Sequence, residues 1–202
     1  MAGGTSFSDV SWSGRKEEIV NKEELREGLK RLGAHLEQHE MSSVFLEEGE
    51  QVPMDSLMLG LRVSDELSLD VSCNFIDVPE YGSILQFYGQ LELDAMMEES
   101  PGVLTELNLL QMINQLNRML PVGQLLYMQT DTEPMNSIGL RYTMRTELAS
   151  EDELEKCADV IEMLMDDYEL LCSVLMLVLD GETVQGAMGI VRKLLEENLR
   201  EK

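Results

Sequence analysis

A chain of 202 residues, 44% hydrophobic and 27% charged, carries enough apolar material to bury the core of one domain, with room for an appendage. Its 39 acidic against 15 basic residues give a formal net charge of -24, and such a surface repels phosphate backbones and anionic bilayers. Nucleic acid is therefore not an expected partner; the acidity suits a basic or amphipathic polypeptide as partner, or equally serves solubility alone.

Residues 1–18 read as a flexible tail, rich in Gly and Ser and without the apolar run of a secretory leader, so a cytoplasmic location is expected. The first helix begins near Asn21, with Asn21 and Glu24 as a capping pair and Val20 packed on Leu25. Leu25, Leu29, Leu32 and Leu36 form its stripe. Gly28 and Gly33 interrupt the helical propensity, which suits a helix lying close against a sheet or another helix.

Beyond Met41 the period changes to two. A short strand is expected over residues 44–48, and Leu57, Leu59, Leu61 and Val63 then alternate with polar or small positions. Leu67, Leu69, Val71, Cys73 and Phe75 do the same. Pairing Val63 with Leu67 and Leu61 with Leu69 keeps every apolar position on one face, which leaves a loop at residues 64–66. After a turn at residues 79–82, the run Leu85, Phe87, Gly89, Leu91 and Leu93 completes a meander and is the candidate free edge.

A breaker cluster over residues 98–102 precedes a second helix, residues 105–120, with Leu109, Met112, Ile113, Leu116 and Leu120 on one stripe and Pro121 as its stop. A hairpin follows, residues 124–129 and 137–146, around an Asp131-Thr132-Glu133-Pro134 turn. The long helix opens at Ser150, where Glu153 three residues on makes a capping box. Its stripe runs from Leu154 to Leu175 without missing a turn. Residues 170–179 are almost entirely apolar, yet too few to span a bilayer as a helix, so no membrane insertion is expected. Past Gly181 a final amphipathic segment carries Val184, Ala187, Met188, Val191, Leu194, Leu195 and Leu199. The chain thus divides into a tail (1–18), an α+β domain (19–181) and a C-terminal helix (182–202). The expected architecture is a two-layer sandwich, an antiparallel sheet with helices on one face.

The order helix, meander, helix, hairpin, helix resembles the fold of the YbjN-like bacterial proteins and the type III secretion chaperones. The local likeness lies in Leu110-Gln111-Met112-Ile113-Asn114-Gln115-Leu116-Asn117-Arg118 and in the acidic helix start Ser150-Glu151-Asp152-Glu153-Leu154. It covers roughly residues 21–168, and the apolar segment with its extra helix departs from it. The resemblance implies an acidic, often dimeric protein that binds other polypeptides rather than converting small molecules.

The residues themselves point away from catalysis. The three cysteines, Cys73, Cys157 and Cys172, are odd in number, make no C-x-x-C pair and fall on apolar faces, so they read as buried reduced thiols. His35 and His39, four apart with Glu40 nearby, are the only histidines; without further ligands they read as a solvated helix face, and no metal or cofactor is expected. No Gly-rich phosphate loop follows a strand. The expected function is a non-enzymatic protein-binding module, a chaperone-like or regulatory adaptor with an apolar surface and an acidic rim. Its candidate interface residues are Leu171, Leu175, Met176, Leu177, Phe87 and Leu91, with Asn114 and Asn117, and a homodimer is expected through residues 170–179. The fifteen methionines suit either the filling of a core or a surface that accepts varied apolar partners. The alternative is a small-ligand sensor or enzyme with a pocket under the helices lined by Tyr81, Tyr88 or Tyr127.

Overall fold

The computed structural model describes residues 22–50, 52–62, 68–78, 82–99, 102–129 and 136–200. In chain order its elements are α1 (Lys22–Gln38), β1 (Ser42–Leu46), β2 (Ser56–Arg62), β3 (Ser68–Val78), β4 (Gly82–Glu92), α2 (Asp94–Glu99), α3 (Glu106–Leu116), β5 (Gln124–Gln129), β6 (Asn136–Met144), α4 (Glu151–Leu179) and α5 (Val184–Arg200). The strands form one antiparallel sheet in the order β1-β2-β3-β4-β6-β5. The fold is α+β, as the pattern predicts.

Alternation decides the layers. Leu57, Leu59 and Leu61 of β2, Leu69, Val71 and Cys73 of β3, and Leu85 and Phe87 of β4 are all buried on the face that α1 and the other helices cover. Gly60, Arg62 and Asp70 on the opposite face are exposed. The β2–β3 register is the expected one, with Leu61 opposite Leu69 and Leu57 opposite Cys73. Gly33 lets α1 approach the sheet: a Cβ there would lie 3.0 Å from a Leu57 methyl and 3.1 Å from the Ser43 hydroxyl. The Asn21 cap, the Val20 contact, the 64–66 loop, the 131–134 turn and Tyr81 lie outside the described residues.

Three elements differ from expectation. β4 is not an edge: it sits between β3 and β6, because the chain returns after α3 and lays Ile138 opposite Leu91 and Leu140 opposite Gly89. The edges are β1 and β5. A short helix, α2, forms and takes in the first two residues of the breaker cluster, and Asp94 at its start accepts hydrogen bonds from the Asn136 backbone (3.0 Å) and side chain (2.9 Å). α3 stops at Leu116, before Pro121, because Asn117 turns to a different task.

Asn117 donates from Nδ2 to the Leu125 carbonyl (3.0 Å) and accepts from the Leu125 N–H (2.8 Å). These are the backbone groups that point away from β6, so a side-chain amide stands where another strand would pair. Replacing Asn117 by Ala leaves both groups without their partner and is expected to cost about 1–3 kcal/mol of stability. Chemical denaturation of wild type and variant checks this, with faster amide exchange at Leu125 as the local signature.

The Ser150 capping box forms as expected, Ser150 Oγ accepting from the Glu153 N–H and Glu153 Oε2 accepting from the Ser150 N–H (3.1 Å). The 29 residues of α4 then cross the helical layer. α5 packs back on α4 and α3 through Val184, Ala187, Met188 and Val191, all buried.

Candidate interaction surface

An all-apolar helix segment must be enclosed, and here the chain encloses most of it. Leu171, Val174, Leu175 and Val178 are buried in the protomer's own core, Leu177 is partly buried, and Met176 is 55% exposed. Leu171 and Leu175 therefore have no surface left to offer a second chain, and neither does Phe87, which lies fully buried under the helices. Leu91 is half-buried beside the core. Asn114 is exposed on α3, whereas both polar groups of Asn117 are engaged by Leu125. Of the residues expected at an interface, Met176 and Asn114 are those the fold leaves open.

The uncovered apolar area lies elsewhere in the helical layer. The inward stripe of α5 is buried through Val191, but its continuation, Leu194 (54% exposed) and Leu195, is uncovered, as is Ile190 beside it. The stripe outruns the body that covers it. On the neighbouring α3, Leu107 (65% exposed) and Leu110 face solvent next to Gln111 and Asn114. Between the start of α3 and the α4–α5 turn lies a shallow cleft of about 490 Å³, lined by Val103, Asn108, Gln111, Val178, Thr183 and Val184. Leu194 and Leu195 continue the periodic stripe, yet their exposure shows only in the packed fold. Leu107 and Leu110 carried a signal that the stripe reading passed over, since they are leucines on the wrong side of an otherwise regular helix.

The two sheet edges are unequal. The β5 edge is occupied at Leu125 by Asn117. Among the described residues β1 pairs only with β2, and it turns Val44 and Leu46 to solvent. At five residues it is a short edge, the kind that limits unwanted strand addition.

Burial pushes the Cys73 thiol well up, that of Cys157 up to about 12 and that of Cys172 up to about 11, so all three remain protonated thiols near neutral pH. Tyr88 lies on the sheet face away from the helices, its ring over Gly139, while Tyr127 alternates to the helix side and donates to Asn136 Oδ1 (2.6 Å). Of the tyrosines expected under the helices, Tyr127 thus lies on their side of the sheet and Tyr88 does not. His35 also differs from expectation: it is buried, not solvated, with Nδ1 3.0 Å from Glu151 Oε1 and Nε2 3.1 Å from Glu155 Oε2, both at the start of α4.

No protein-family model matches the sequence, and no curated protein matches it. Among solved structures, the fold is similar to the crystal structure of YbjN from E. coli, at 14% sequence identity and a TM-score of 0.47, over 75% of this chain and 89% of that one. No helix among the described residues is long and apolar enough to cross a membrane.

Proposed function

We propose that the protein is a non-enzymatic binding module, a chaperone-like or regulatory adaptor that holds another polypeptide on the open apolar surface of α5 and α3. The observation that carries this reading is the α5 stripe, which leaves Leu194 and Leu195 uncovered beyond the last core contact at Val191. Burying a fully exposed aliphatic side chain of that size contributes about 1.5–3 kcal/mol, and Leu194 and Leu195 are already partly covered, so they act as anchors within a larger contact rather than as the whole of it. The mode is a helix face laid against apolar anchors, and the net charge of -24 favours encounter with basic partners. A homodimer is one form this association takes.

Replacing Leu194 and Leu195 together by Asp tests the reading without touching the core. The double variant is expected to melt within a few degrees of wild type, to lose the polypeptides that co-purify stoichiometrically with wild type, and to run as a monomer by light scattering if wild type is a dimer. Unchanged mass together with unchanged co-purification removes the proposal.

A further inference from the structure

We propose that His35, His39 and Glu155 bind a transition-metal dication of the zinc or nickel class, which clamps α1 to the start of α4. The two histidines stand one turn apart on α1, with ring centroids 4.9 Å apart, and Glu155 reaches them from the second turn of α4. Glu155 Oε2 lies 3.1 Å from His35 Nε2 and 3.7 Å from His39 Nε2, and one donor atom from each residue lies within 4.8 Å of the other two. Metal–ligand bonds of about 2.0–2.1 Å in tetrahedral geometry separate donor atoms by about 3.3 Å. His39 and Glu155 are both exposed and have room to close the remaining gap.

A second feature distinguishes this cluster from an ordinary surface ion pair. His35 is 6% exposed, and its other nitrogen, Nδ1, faces Glu151 Oε1 at 3.0 Å. A carboxylate accepting from Nδ1–H fixes the tautomer that presents the Nε2 lone pair, the usual outer support of a metal-ligating histidine. A neutral ring donates through one nitrogen only, so a ring whose Nδ1 donates to Glu151 presents its Nε2 lone pair toward Glu155, whereas a protonated ring donates to both carboxylates. In the neutral ring, a dication between Nε2 and Glu155 is bound by both. Two imidazoles and one carboxylate suit zinc, nickel or copper, whereas calcium and magnesium prefer oxygen donors alone. Among the described residues this is the one group of three such side chains brought within ligating range.

Calorimetric titration of the full chain, stripped with chelator and dialysed, with zinc chloride is expected to show one saturable equivalent. The melting temperature is expected to rise by several degrees. His39→Ala, at an exposed position, should leave the metal-free melting temperature unchanged and weaken zinc binding by about tenfold or more, and Glu155→Gln should weaken it similarly. Calcium chloride at the same concentration should produce no shift. The proposal is overturned by the absence of a saturable equivalent, by wild-type affinity in His39→Ala, or by an equal shift with calcium, which would indicate diffuse condensation of cations on an acidic surface. None of these outcomes depends on Leu194 or Leu195, so the clamp and the docking surface stand or fall separately.

Discussion

Leu175→Asp is expected to abolish folding, while Met176→Asp, one residue further along the same helix, is expected to leave stability within about 0.5 kcal/mol of wild type. Leu175 is 1% exposed, packed in the core on the inner side of α4, whereas more than half of Met176 faces water. Truncating a buried leucine alone costs about 2–5 kcal/mol, and a carboxylate left there without a counter-charge adds several more. The sum approaches the 5–15 kcal/mol or so that typically separates folded from unfolded domains. Circular dichroism and urea denaturation of the two variants check the contrast. It bears directly on assembly. A monomeric Leu175 variant would report unfolding, so only substitutions at open positions such as Met176, Leu194 or Leu195 can test association by mass. A folded Leu175→Asp protein with wild-type cooperativity would mean that α4 faces the other way.

The parts of this molecule that are legible in its sequence are those governed by local periodicity. The β2–β3 register follows from parity, since a slip of one residue would turn Leu57, Leu59 and Leu61 out to solvent. The α4 start follows from Ser150 and Glu153, which are three residues apart and meet as such. What escaped is set by partners distant along the chain. β4 resembles an edge because β6, its second neighbour, arrives about fifty residues later through α2 and α3. Asn117 looks like a free polar residue until β5 brings Leu125 beside it. His35 reads as solvated because the glutamates that flank it lie 116 and 120 positions away. The same limit governs the interface residues. Periodicity marks Leu171, Leu175, Leu194 and Leu195 alike as inward, and only the tertiary packing shows that the last two are uncovered.

Asp167→Asn is expected to stabilise the protein above neutral pH, by an amount that shrinks as the pH falls. Asp167 is the charged residue that α4 turns fully inward: it is 1% exposed, and its Oδ2 has no hydrogen-bond partner among the described residues. It faces the turn at Gly123, where a Leu164 methyl and a Leu140 methyl also press, so its surroundings are apolar. Burial, followed by the neighbouring charge of Asp166, pushes its carboxyl up to about 7 from an ordinary 3.8. Between those two values the folded chain keeps a proton that the unfolded chain has released, so raising the pH favours unfolding. The slope is about 1.4 kcal/mol per pH unit, and it vanishes once the folded carboxyl has also ionised. An asparagine has no such titration. The difference in unfolding free energy between variant and wild type should therefore grow by about 3 kcal/mol from pH 5 to pH 8, and little beyond. Comparing the two proteins cancels the opposing contributions of Glu153 and Asp94, whose carboxyls are held below their ordinary values by backbone and side-chain hydrogen bonds. Urea titrations at pH 5, 6.5 and 8 measure the effect. A constant difference across that range would mean that Asp167 is ionised and partnered in the folded protein, and that the inner face of α4 near Gly123 holds water rather than a protonated acid.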